Sequence, residues 1–281
     1  MAATAMAFVV VNGIVKHLGT ELPAAQSAFI RFAFGLVILA PVLWSARGMR
    51  LPATTWRLFG WRGAFHVLAV ICWFWAVVRV PVAEIAAISF LNPVIVLVLA
   101  ALLLGEGLSR GRVLTVVLAL LGALIVLRPG LREVTAGHVS QVAATFLFAV
   151  SYLYAKRLSD LAPAGVVVAM LSLTVAAGLM PIALWVWQPV SAVQLAWLAA
   201  VAVVATLGHY TMTRAFRAAP LAVTQPVVFL QILLASMLGA LIFGEPVDGF
   251  VILGGALIVA AVSVNTWAEA RREHAEPQPE A

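Results

Sequence analysis

Charge is what this sequence has least of. Only 10% of its 281 residues are Asp, Glu, Lys or Arg, and Lys16 and Lys156 are the only lysines. A soluble domain carries roughly 25% charged and 45–50% apolar residues. Here 64% are apolar and the mean hydropathy is +1.10. No soluble fold hides that much apolar surface, so the chain belongs in a bilayer. Other absences narrow the function. The single cysteine, Cys72, excludes an internal disulfide. No glycine-rich phosphate loop is present, which excludes ATP as a drive. The five histidines (His17, His66, His138, His209, His274) have no zinc spacing, so neither a metal nor a cofactor is expected. No Ser/His/Asp grouping points to an enzyme. The longest polar stretch, Ala46 to Arg57, is too short for a soluble domain.

What is present is a series of apolar runs bounded by Pro, Gly or charge. Spanning a bilayer takes roughly 20 apolar residues in a helix. Ten candidates emerge: 2–18, 24–45, 58–78, 84–104, 112–127, 136–156, 163–187, 192–214, 221–243 and 249–268. The first is read as a span rather than a signal peptide, since it lacks a basic leader and a clear cleavage site.

The runs repeat. Pro81, Ala83, Phe90-Leu91, Leu99, Ala101-Leu102 and Gly105-Glu106 match Pro220, Ala222, Phe229-Leu230, Leu238, Ala240-Leu241 and Gly244-Glu245, and Lys16, Pro23-Ala24 and Pro41 match Lys156, Pro163-Ala164 and Pro181. The expected units are 1–130 and 136–268, followed by a disordered cytoplasmic tail at 269–281. Five spans per unit is an odd number, so the copies cross the membrane in opposite senses. The fold class is therefore all-α integral membrane, with ten transmembrane helices in two inverted five-helix repeats. Such repeats usually mark a transporter with its site at the seam.

Charge placement orients the chain. With both termini cytoplasmic, the inner positions hold Arg47, Arg50, Arg57, Arg62, Arg110, Arg112, Lys156, Arg157, Arg214, Arg217, Arg271 and Arg272. The outer positions hold Lys16, Arg79, Arg128 and Arg132. This bias is the positive-inside pattern. The net charge of +6 flanks spans rather than forming a patch, which argues against nucleic acid as a partner.

Phe29-Ile30-Arg31-Phe32, the run Pro81 to Ile88 followed by Asn92-Pro93, and the turns Leu104-Gly105-Glu106 and Phe243-Gly244-Glu245 resemble the drug/metabolite transporter superfamily, specifically its ten-helix EamA-type members. The resemblance covers essentially the whole chain. It implies a bacterial inner-membrane carrier, often an exporter, with a central cavity between the halves. It also implies a small organic substrate such as an amino acid, amine, vitamin or metallophore. The stretch Leu22 to Gln26 with Val15-Lys16 and Phe29 to Arg31 is similar to members associated with riboflavin, S-adenosylmethionine or opine-type metallophores.

Candidate site residues are those that are costly in a membrane or that break the repeat. An intramembrane charge costs roughly 2.5–3.5 kcal/mol on insertion scales. Arg31 and Glu84 are replaced by Leu171 and Val223 in the second half, as a coupled pair would be. Two readings stand: a substrate or proton-linked gate, and a structural ion pair. Asn12-Lys16 and Tyr152-Lys156, at i and i+4, each share a face. Each face is either cavity wall or helix contact, with the lysines snorkelling in the latter case. Asn92 and Gln231 place an amide at equal depth in both halves. Trp73 and His209 lie on the third and eighth spans, as stacking wall and proton-responsive group or as packing. The substrate-binding set is thus Asn12, Lys16, Arg31, Trp73, Glu84, Asn92, Tyr152, His209 and Gln231. Glu106 and Glu245 are expected as fold markers capping a following helix. Expected partners are the substrate, the lipid bilayer, protons as coupling ion and a homodimer through Gly254-Gly255-Ala256. The alternative reading is a flippase or membrane enzyme acting on a lipid-linked substrate.

Overall fold

The computed structural model describes residues 2–92, 94–95, 98–99, 110–128, 133–218 and 230–275. Pro93, the Gly105-Glu106 turn, Pro220, Val223 and residues 276–281 lie outside them. The described residues form ten helices: α1 (Ala2–Leu18), α2 (Ala24–Ala46), α3 (Ala53–Val77), α4 (Val82–Ser89), α5 (Arg110–Leu127), α6 (Ala136–Leu161), α7 (Ala164–Trp185), α8 (Ala192–Ala218), α9 (Leu230–Phe243) and α10 (Gly249–Ala275). Five of them, α2, α3, α6, α7 and α8, are long and apolar enough to cross a membrane. Shorter apolar helices lie within α1, α5, α9 and α10. Helix α10 runs to Ala275, into the stretch 269–281 expected as tail.

Proline sets several helix starts. Pro23, Pro52, Pro81 and Pro163 precede α2, α3, α4 and α7 with φ between −54° and −58°. Their carbonyls accept the first helical bonds, such as Ser27 N–H to Pro23 at 2.9 Å and Val167 N–H to Pro163 at 3.0 Å. A fixed φ and a missing amide hydrogen suit the start of a helix. The matched pair Pro23 and Pro163 therefore does the same work in both halves. Helix α4 stops at Ser89, and Phe90 closes it with a tight bond to Ala87 at 3.1 Å.

The packing has a pseudo-two-fold pattern. Helices α2, α4 and α5 pack on their own copies α7, α9 and α10. Helix α3 packs on α6 as α8 packs on α1, and α3 lies on α7 as α8 lies on α2. Exchanging the five-helix units leaves these pairings unchanged. Small residues permit close approach: a Cβ on Gly122 would sit 2.6 Å from the Gly254 carbonyl oxygen, and one on Gly254 2.5 Å from that of Gly122. Gly254 of α10 is thus used within the chain, against α5. The outer surface is apolar, and Trp44, Trp56, Trp61, Trp185, Trp187 and Trp267 are exposed on it. Most lie toward helix ends, as amphipathic rings do at a membrane interface.

Candidate substrate site

Antiparallel neighbours gather two ends of the bundle. One holds Lys16, the start of α4 and the α9–α10 turn. The other holds Lys156 and the cationic connections of α2 and α3.

At the Lys16 end, two ion pairs and a histidine–carboxylate contact join the repeats. Lys16 pairs with Glu245 and donates to the Val80 carbonyl at 2.9 Å. The other Glu245 oxygen accepts the Val82 N–H at 2.9 Å, capping α4. A carboxylate is favoured at such a helix start. Gly244, at φ +62°, makes the turn that presents it. Arg128 pairs with Asp248. His138 Nε2 meets Glu84 Oε2 at 2.7 Å, while His138 Nδ1 faces the Thr135 hydroxyl at 2.8 Å. Gln26 adds two bonds to the Gln188 backbone, at 2.8 and 2.9 Å. A cleft of about 290 Å³ between α1, α2 and α3, lined by Ser27, Trp75 and Arg79 among others, opens at this end.

These contacts revise four expectations. Glu84 is held by His138 across the repeats, and no Arg31–Glu84 pair forms. The reason is reach: the third residues of α4 and α6 lie side by side at this end, whereas Arg31 sits two turns into α2. Lys16 is drawn to Glu245 and Val80 rather than into a central cavity. Glu245 caps a helix, but α4 of the other repeat instead of the one that follows it. Arg62, counted above among membrane-surface cations, is only 1% exposed. It stands about 14 Å into α3 at 1.5 Å per residue, covered by α7.

Between the ends lies a polar-aromatic cluster from five helices, its polar members buried and Phe8, Phe148 and Tyr152 half-buried. Between the halves, His66 of α3 and His209 of α8 meet with ring centroids 5.5 Å apart. Each is flanked by the matching phenylalanine of the other repeat. Phe148 of α6 lies 5.0 Å from His66, edge-on at 66°, and Phe8 of α1 lies 5.2 Å from His209 at 69°. Phe32 approaches His66 at 5.9 Å, and Tyr152 stacks on Phe148 at 5.9 Å. His66 Nδ1 and the Ser151 hydroxyl are 3.0 Å apart. Asn12, 4% exposed, lies one turn along α1 from Phe8.

Two guanidiniums complete the cluster. Arg31, 7% exposed, lies 3.8 Å over the Phe32 ring and has no acidic partner among the described residues. Arg62 donates through Nη1 to the Val167 carbonyl at 3.0 Å, while its Nε and Nη2 are buried without partners. His209 Nδ1 is likewise buried and unpartnered.

Of the expected set, Asn12, Arg31, Tyr152 and His209 meet here. Trp73 is half-buried, packing edge-on against Phe74 at 5.0 Å. Asn92, with a buried unpartnered Oδ1, lies just beyond α4 and Gln231 on α9; both are half-buried. Sequence reasoning missed Arg62 and Ser151. The i, i+4 spacing of Arg62 and His66 within an apolar run was the available signal.

Two five-helix halves around a seam of buried polar groups are matched by a family model. The model for the EamA-like transporter family fits this chain twice, at residues 1–128 and 135–267. The chain belongs to that family. Its EamA-type relatives include the riboflavin transporter of Vibrio cholerae, 28% identical over 98% of this chain and 94% of that protein. The pseudopaline exporter CntI of Pseudomonas aeruginosa is also 28% identical, covering 90% of each chain. The S-adenosylmethionine uptake transporter of Rickettsia prowazekii is 24% identical over 90% of this chain and 86% of that protein. A solved structure with a TM-score of 0.64 and 21% identity, covering 96% of this chain and 97% of its own, shares the fold. The protein is a multi-pass membrane transporter of the drug/metabolite superfamily and not an enzyme.

Proposed function

We propose that this protein is a secondary active carrier that exports a small organic metabolite by alternating access between its two halves, from a bacterial inner membrane with both termini in the cytoplasm. The observation that carries this reading is the His66–His209 seam, flanked by Phe148 and Phe8 in near-two-fold fashion. A site on the axis of an inverted repeat is equivalent for both faces of the membrane. The ion pairs of the Lys16 end support a closed gate on that side in this conformation. The cation-rich Lys156 end supports the orientation, and removing Arg62 from the surface count leaves the bias in place. The relatives are named for different substrates and for both export and uptake, so the direction of work rests on the family resemblance alone.

Counterflow in proteoliposomes tests the carrier reading. Vesicles preloaded with an unlabelled metabolite should take up the same labelled compound faster than empty vesicles, because one site serves both faces. Flux that does not respond to preloading would overturn alternating access. Proton coupling is the further expectation, and equal transport with and without a pH gradient would remove it.

A further inference from the structure

We infer that the central cluster is a site for an organic anion carrying a planar ring, with Arg62 and Arg31 as the carboxylate-binding groups. This deepens the carrier reading and rests on it.

The inference begins with Arg62. Its side chain is 1% exposed, yet only Nη1 is bonded. The two unpartnered groups, Nε and Nη2, form the side-on edge of the guanidinium. That edge presents two parallel N–H donors, the geometry that grips a carboxylate in a two-point fork. A buried charge without a partner is costly, and buried charges are ordinarily paired. Among the described residues no carboxylate joins the cluster, and Glu84 and Glu245 are committed to His138 and Lys16. Arg31, also without an acidic partner among the described residues, lies over the Phe32 ring that faces His66 and adds a second positive charge to the cluster. The missing partner is therefore an anion from outside the chain.

The walls define the rest of the ligand. Phe8, Phe148, Tyr152 and the two imidazoles offer ring faces and edges for a planar group. His209 Nδ1 is a further unpartnered polar atom, suited to a ring heteroatom or hydroxyl. A cationic amine or sulfonium would meet two guanidiniums and no acid, so that class is disfavoured.

The test is binding to the purified full chain in detergent by equilibrium dialysis, with three probes sharing one ring: 2-naphthoate, 2-naphthamide and 2-naphthylmethylammonium. Naphthoate should bind saturably, at least about tenfold tighter than the other two, as a charge-assisted fork predicts. Arg62→Gln should abolish that preference by weakening naphthoate binding to the level of the other two probes. Arg31→Gln should reduce it in the same sense. Thermal melting checks folding, and if Arg62→Gln does not fold, Arg31→Gln decides. Equal or tighter binding of the ammonium probe, no naphthoate binding, or an unchanged preference in a folded variant would overturn the inference. Counterflow of a neutral or cationic metabolite, with no naphthoate binding, would refute the substrate class and leave the carrier intact.

Discussion

At the residue scale, the choice of partners decides what each charge does. Arg31 and Glu84 vanish together in the second repeat, which suggests a pair, but covariation between copies shows only that both are special to one half. Their partners come from packing. Glu84 meets His138 because the starts of α4 and α6 are neighbours at the Lys16 end. Double-mutant cycles on thermal stability separate the two cases. Glu84→Gln and His138→Gln should be non-additive, by about 0.5–3 kcal/mol as for residues in contact. Arg31→Gln and Glu84→Gln should add to within about 0.5 kcal/mol. Glu245 gives a second residue-scale prediction. Glu245→Ala strips a partner from both Lys16 and the Val82 N–H, so it should destabilise by about 1–3 kcal/mol. Lys16→Met in the same background should add only the loss of the remaining Lys16 bond to the Val80 carbonyl, about 0.5–1.5 kcal/mol.

At the element scale, helix positions were legible in the sequence because a spanning helix must satisfy its own backbone hydrogen bonds. An apolar run between breakers then has few alternatives. The run read as 24–45 is α2 at Ala24–Ala46, and 163–187 contains α7 at Ala164–Trp185. The depth of a side chain was less legible. Arg62 stands near the start of the run at 58–78, where cations usually flank the membrane. Helix α3 itself begins earlier, at Ala53, so Arg62 is well inside it and covered by α7. Contacts between helices separated by more than a hundred residues cannot be read from periodicity, and these contacts bury it. The α5–α10 crossing shows how tightly such contacts are fitted. Gly122→Val would push a side chain into the Gly254 carbonyl oxygen and Ile258, each 2.6 Å from the new Cβ. Overpacking of this kind costs about 1–3 kcal/mol, which unfolding in mixed detergent micelles would show. Gly60→Ala is the contrast: its Cβ would meet nothing within 4 Å, and stability should hold or rise slightly.

At the scale of the whole molecule, the inverted repeat is visible both in the matched residues and in the exchange-symmetric packing, but the two ends are not used equally. The ion pairs between repeats among the described residues lie at the Lys16 end. Elsewhere the ties between halves are hydrogen bonds rather than ion pairs, such as Thr4 with Thr211 at 2.9 Å and Arg62 with a backbone carbonyl. If the Lys16 end is a gate, transport requires it to part. In a Cys72→Ser background, Arg128→Cys and Asp248→Cys would place two thiols where an ion pair now joins the C-terminus of α5 to the start of α10. A short, reducible bis-methanethiosulfonate reagent should then tie the halves at that end. Proteoliposomes of the double variant should exchange substrate before treatment, lose exchange when cross-linked, and recover it on reduction. The carboxylate site should stay occupied-competent throughout, so 2-naphthoate binding in detergent should survive the cross-link even as exchange stops. Exchange that continues at full rate in cross-linked protein would mean that this end does not open during transport.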